Sequence, residues 1–274
     1  LYGEFDLYRG ARINERLAAM NAITPQDMME LQKDDKNLFA AAVMPVLRKH
    51  IDTASLTAEQ QSYWQLLSSW DFMATPDSKA ATVFNTLWDH LEDTIWHDEL
   101  RPADGTVLTY PQAITTLQLL QRDTSFRFID NINTPQKETL SQLVQGAFAT
   151  SVNELEVLNR AGNLALGRAR GTDINHLSRG IPAFSTLHLR TGGGQHIVNA
   201  TKATHGPSWR MVVQLSDKTE AYGIYPGGQS GNPGSPFYDN SVYDWVAGKY
   251  YLLHIFSEEE KDDAVIRYKL VFTK

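Results

Sequence analysis

Phe184-Ser185-Thr186-Leu187-His188-Leu189-Arg190-Thr191-Gly192-Gly193-Gly194-Gln195-His196-Ile197-Val198-Asn199-Ala200 is the stretch at which the periodicity of the chain changes. Before it, apolar residues recur every three or four positions; after it they come in short runs rich in aromatic and β-branched side chains. The runs 184–189 and 196–200 predict two strands, joined through Arg190-Thr191-Gly192-Gly193-Gly194, whose glycines can take positive φ, so a hairpin is expected here. The fold class is therefore α+β, with a mainly helical region over 1–180 and a strand-rich region over 181–274.

Upstream, helical spacing runs from Arg12 to about Gln121. Helix starts are announced by Thr24-Pro25-Gln26-Asp27 and Thr57-Ala58-Glu59-Gln60, where a threonine oxygen can cap free amides and Pro25 loses no internal bond. Met28, Leu31, Asp35 and Leu38 continue the first helix, although Asp35 breaks the apolar stripe; Trp88, Leu91, Ile95, Trp96 and Leu100 form the clearest stripe. A second helical group is expected over 135–166, broken near Gly146 and Gly162, before the glycine-containing stretch 167–180. Downstream, 209–215, 221–225 and 264–272 predict strands, with a turn at Ser216-Asp217-Lys218. The segment 225–236, with Pro226, Gly227, Gly228, Gly231, Pro233, Gly234 and Pro236, predicts an irregular surface loop.

Composition narrows the function. Hydrophobic residues make up 42% of the 274 positions, enough for a sizeable core. A net charge of -7 and a pI of about 5.6 argue against nucleic acid as a partner. The absence of cysteine excludes disulfides, thiolate metal sites and cysteine nucleophiles. The longest apolar runs fall short of the ~20 residues that cross a bilayer, so a soluble, non-membrane protein is expected. Leu1-Tyr2-Gly3-Glu4-Phe5-Asp6 does not resemble a targeting segment, and the chain reads as starting inside a fold.

The short motifs are weak by themselves. Gly228-Gln229-Ser230-Gly231-Asn232 approaches a nucleophile elbow but lacks the final glycine, and reads as a turn; the same loop lacks the lysine of a phosphate cradle. His188 and His196 could meet across the expected hairpin, yet no carboxylate stands at ligand spacing, and neither His90 nor His97-Asp98-Glu99 makes a zinc-hydrolase signature. The acidic run Ser257-Glu258-Glu259-Glu260-Lys261-Asp262-Asp263 reads as a turn. Arg9, Arg12 and Arg16 share a helix face if the helix begins near Asp6. Such a face is either solvated, with Glu15 beside it, or it carries a buried Arg12 that reaches a carboxylate or a tetrahedral intermediate.

Two longer blocks carry more. His205-Gly206-Pro207-Ser208-Trp209-Arg210-Met211-Val212-Val213 and Gly227-Gly228-Gln229-Ser230-Gly231-Asn232-Pro233-Gly234-Ser235-Pro236-Phe237-Tyr238 resemble the C-terminal region of the penicillin acylase family. Tyr8-Arg9-Gly10-Ala11-Arg12-Ile13, Thr24-Pro25-Gln26-Asp27-Met28 and Trp70-Asp71 resemble an earlier helical part of its large subunit. The resemblance implies a piece of a four-layer α/β/β/α N-terminal-nucleophile hydrolase, made by cleavage of a precursor. In that family the first serine of the large chain attacks an amide carbonyl, its own α-amine acts as base, and an asparagine helps hold the oxyanion.

The resemblance therefore implies an amidohydrolase acting on N-acyl substrates, β-lactam antibiotics or acyl-homoserine lactones. The serine and asparagine would lie before Leu1, so this chain alone is expected to be inactive. One residue carries over as catalytic: Arg12, matching an arginine of the family's active-site network, with Arg9 taking its place if the register slips. Phe237 stands where many relatives have histidine. No cofactor is expected in this chain; structural calcium, which the resemblance implies for the parent, cannot be traced to residues here. The expected partner is the rest of the precursor, and an isolated chain should expose apolar surface or cover it with a copy of itself. Periplasmic or secreted location follows from the same resemblance. The reading from another class is a noncatalytic assembly or binding domain.

Overall fold

The computed structural model describes residues 7–101, 105, 108–178 and 181–273, in two compact units: Leu1–Asn21 with Leu31–Pro207, and Ala22–Glu30 with Ser208–Lys274. The expectations resting on Leu1, on a helix start at Asp6 and on Gly180 lie outside the described residues.

In the first unit, α1 (Tyr8–Ala18) is followed by α2 (Pro25–Gln32), which begins in the second unit's segment, then α3 (Leu38–His50) and α4 (Ala58–Ser68). The long α5 (Lys79–Leu100), α6 (Ala113–Arg122), the long α7 (Leu140–Arg160) and the short α8 (Leu166–Ala169) complete its helices. The caps are written in the sequence. Asn37, Ser78, Thr57 and Thr139 each accept an amide of the first turn, and Gln60 and Gln142 return the bond to make two capping boxes. α5 and α7 pack against each other, with α3 and α4 alongside. Their shared core holds Phe39, Phe84, Leu87, Leu91, Ile95 and Phe148, all at most 2% exposed. The Trp88 ring meets Phe39 edge-on with centroids 4.9 Å apart.

Two helical expectations change. The stripe from Met28 to Leu38 is two helices, and Asp35 lies in neither. Asn37 caps a new helix here, and Lys36 bridges to Met73, which turns the backbone out of the first one. α7 runs unbroken through Gly146, where a side-chain carbon would meet nothing; the break falls at Gly162, with φ at 71°.

The hairpin over 184–200 does not form. Its backbone bonds elsewhere: Leu189 exchanges both bonds with Thr172, Gly193 donates to the Ala74 carbonyl and Asn199 to the Asp34 carbonyl. Only an isolated bridge, Ile174 to Thr186, is strand-like. His188 and His196 therefore never face each other. His188 is 84% exposed near Asp173, while the His196 ring lies 4.5 Å from that of Phe39.

In the second unit, β1 (Arg210–Gln214) and β2 (Glu220–Ile224) pair antiparallel, Arg210 opposite Ile224 and Gln214 opposite Glu220, close to where the sequence put them. The short α9 (Val242–Val246) and β3 (Tyr251–Leu253) were not legible; β3 pairs with the other side of β2. Val212, Ala221, Ile224, Val242 and Trp245 are buried. Arg210 is buried too, donating to the Trp245 carbonyl at 2.8 Å while its guanidinium lies over the indole. The loop 225–236 is irregular as expected, and Gly228 is required there, because a Cβ would fall 2.0 Å from the Phe237 carbonyl oxygen. Ser257 to Asp263 forms a 3-10 turn, with Glu260 paired to Lys218. The strand expected over 264–272 does not form; Val265, Tyr268, Leu270, Val271 and Phe272 are exposed, and among the described residues no strand pairs with them.

The outcome is an α+β chain, helical in its first half and strand-bearing towards its end. No helix among the described residues is long and apolar enough to cross a membrane. Replacing Gly146 with Ala should raise stability by about 0.5–1 kcal/mol in urea unfolding, because only helix propensity changes. Gly193→Ala should lower it, since φ is 76° and the new carbon would lie 1.9 Å from the Asn199 carbonyl oxygen. Equal effects at the two sites would contradict this backbone account.

Candidate functional site

α1 presents Arg9, Arg12 and Arg16, and the side chains of Arg12 and Arg16 reach Asp34. Arg12 Nε and Nη2 donate to the two carboxylate oxygens of Asp34 at 2.9 and 2.8 Å, a planar two-bond fork. The side chains are 13% and 7% exposed. The remaining Arg12 nitrogen lies 3.1 Å from Glu15, and Arg16 Nε lies 3.8 Å from Asp34. The geometry shares parts of both sequence readings: a part-buried Arg12 reaches a carboxylate, and the exposed Glu15 stands beside it.

Asp34 has further partners. Its Oδ1 accepts the Lys36 amide at 3.0 Å, and its carbonyl accepts the amide of Asn199 at 3.1 Å. Burial alone would raise its pKa, but the Arg12 fork, the Lys36 amide and the charges of Arg12 and Arg16 outweigh it, so the carboxyl sits below its ordinary value. The Asp34 hydrogen bond, against the opposing effect of burial, holds the Arg12 guanidinium above its own ordinary value.

Asp35 extends the node. Its Oδ1 accepts from the Asn199 side chain at 2.9 Å. Gly192 passes so close that a Cβ would lie 2.7 Å from Asp35 Oδ2 and from the Ala74 carbonyl oxygen. Arg170 closes the other side of the glycine turn, donating to the Gly193 and Gly192 carbonyls at 2.9 Å each. Thr201 also bonds to the Gly192 carbonyl, and Arg9 to that of Gln195. Burial depresses the Arg170 guanidinium pKa. The node thus fixes positive charge and a tight turn. A guanidinium does not exchange protons at neutral pH, so it can orient and stabilise but not act as acid or base.

Beside the node lies an open cleft of about 800 Å³, walled by α5, the C-terminal half of α7, the start of α6 and the glycine turn. Burial pushes the Glu92 carboxyl there up to about 7. Asp34, Asp35, Arg170 and Asn199 escaped the sequence reading. The one signal was Asp35 interrupting an apolar stripe; the others lie far apart in the chain. Among the described residues no three His, Asp or Glu side chains converge as a metal cage.

The chain belongs to the penicillin amidase family, whose sequence model matches residues 3–262. It is 27% identical over 276 residues to the acyl-homoserine lactone acylase QuiP of Pseudomonas syringae pv. tomato, covering 86% of this chain and 33% of that protein. It is 25% identical to the QuiP protein of Pseudomonas aeruginosa, covering 88% of this chain and 34% of that one. The chain thus spans about a third of the length of these curated relatives. The fold matches a thermostable penicillin G acylase from Alcaligenes faecalis with a TM-score of 0.57 at 14% identity, over 100% of this chain and 53% of that one.

Because Asp34 is held below its ordinary pKa, the unfolded chain binds the extra proton first as pH falls. The stability it contributes is complete above about pH 4 and is lost as pH drops through the lower, folded value. Asp34→Asn should therefore be less stable than the parent at neutral pH, with the gap in urea midpoint closing under strong acid. A gap that stays constant with pH would show that the charge of Asp34 does not matter.

Proposed function

We propose that the chain is the C-terminal part of the nucleophile-bearing subunit of an N-terminal-nucleophile amidohydrolase. The observation that carries this reading is the family match over residues 3–262. The complete protein hydrolyses the amide bond of N-acyl substrates. The QuiP relatives are named for acyl-homoserine lactones, which favours those amides over β-lactams as the first class to test. The chain contributes strands to a closed four-layer α/β/β/α core whose remaining parts come from elsewhere in the precursor. The exposed apolar residues Leu215, Leu270 and Phe272 support such a covering partner. The complete enzyme is periplasmic or secreted, and the chain alone turns over no substrate.

In this reading Arg12 is a positioning residue for the active-site network. Its fork to Asp34 supports that role, because a guanidinium locked in one direction is a preorganised electrostatic element. In the complete, correctly processed enzyme, Arg12→Ala should lower kcat/KM by a factor corresponding to about 2–4 kcal/mol, mostly through kcat, while Arg16→Ala changes it little. Precursor cleavage and folding are checked separately. An unchanged kcat/KM in a processed Arg12→Ala enzyme would remove Arg12 from the network. Sustained release of acid from acyl amides by the 274-residue chain alone would overturn the assignment of catalysis to the rest of the precursor.

A further inference from the structure

α1, which carries Arg12, is a weak helix by its own chemistry. Its N-cap residue, Leu7, offers no side-chain bond, its first turn carries no acid, and Gly10 stands inside it, where glycine disfavours a helix. A helix of 11 residues built this way depends on its surroundings. Yet no residue of α1 is buried, and Ile13 and Leu17 are only half-covered. Its aromatic anchor is Tyr8, edge-on to Phe39 with ring centroids 5.4 Å apart. The other grips are guanidinium groups, Arg9 on the Gln195 carbonyl and Arg12 on Asp34.

Asp34, by contrast, is fixed from outside α1. Its amide donates to the Leu31 carbonyl at 3.2 Å, its Oδ1 accepts the Lys36 amide, and its carbonyl accepts the Asn199 amide. The carboxylate is a stationary post, and both of its oxygens are taken by Arg12. We propose that Asp34 is a positioning residue for the amide hydrolysis: it seats α1, and through α1 it fixes where Arg12 holds its charge. This rests on the reading of Arg12 as part of the active-site network. Glu15 cannot replace Asp34, because its side chain is 58% exposed and it belongs to α1 itself, so it moves with Arg12 and ties the helix to nothing outside. A charge displaced by about 1 Å loses much of its effect on a transition state, while substrate contacts made elsewhere are untouched. Loss of Asp34 therefore falls on kcat rather than on KM.

The test combines kinetics of the complete, correctly processed enzyme on N-octanoyl-homoserine lactone with distances measured in the 274-residue chain. Asp34→Asn keeps the shape of the side chain and removes its charge. It should lower kcat about tenfold or more, with KM changed by less than about twofold. Added to Arg12→Ala it should cost nothing further, because the two residues act as one unit. Glu15→Gln should leave both constants near those of the parent. The chain has no cysteine, so Asn14→Cys and Asn153→Cys, at exposed positions of α1 and α7, accept spin labels. Their separation should be narrowly distributed in the parent and broad in Asp34→Asn, with circular dichroism confirming that the rest of the chain stays folded. If Asp34 serves stability alone, Asp34→Asn lowers the unfolding midpoint but leaves kcat and the label distances of the folded chain unchanged; that outcome overturns the proposal. So does a slow Arg12→Ala enzyme beside a fully active Asp34→Asn one, which leaves the reading of Arg12 standing. An Arg12→Ala enzyme of unchanged kcat removes that reading, and this proposal with it. Should Asp34→Asn fail to mature, the labels decide: a distribution as narrow as the parent's would refute the seating of α1 by Asp34.

Discussion

The two-bond fork between Arg12 and Asp34 is the interaction on which the helical unit's polar interior rests. Both side chains are largely withdrawn from water, and each charge is tolerable only because the other faces it. Asp34 does more than neutralise Arg12: its carbonyl receives the Asn199 amide, and its neighbour Asp35 holds the Asn199 side chain. Asp34 and its neighbour Asp35 thus link α1 to the connection ahead of α3 and, through Asn199, to the segment after the glycine turn.

The glycine turn is the second half of the same construction. Gly192 and Gly193 bring backbone so near Asp35, Ala74 and Asn199 that a side chain at either would collide. The carbonyls left pointing inward are taken up by Arg170, whose guanidinium, though largely buried, is spread over several acceptors. A strand pair could not have done this, because ladder bonds would have used the amides of Leu189 and Asn199 that reach Thr172 and Asp34.

That competition explains what could be read from the sequence and what could not. Local rules worked where local chemistry decides: the helix starts at Thr24 and Thr57, the apolar stripe through Leu91 and Ile95, and the strand runs that become β1 and β2. The apolar runs at 184–200 satisfied strand propensity equally well, but Leu189, Gly193 and Asn199 bond instead to the distant Thr172, Ala74 and Asp34. The run at 264–272 found no neighbouring strand among the described residues. Gly146 shows the reverse case, a breaker residue overridden by the packing of the helix around it. At the site, the Arg12 face was legible from its spacing, and the role proposed for it rests on family resemblance. Its partner Asp34 was not, because nothing local distinguishes it from its charged neighbours Lys33, Asp35 and Lys36.

The account stands most directly on the strength of the Arg12–Asp34 coupling. A double-mutant cycle with Arg12→Ala, Asp34→Ala and the pair, read by urea unfolding of the chain at neutral pH, measures it free of the other contacts each residue makes. A coupling of about 1–3 kcal/mol is expected for a bidentate, largely buried ion pair. A coupling indistinguishable from zero, with the two single losses simply adding, would contradict the claim that this fork organises the site.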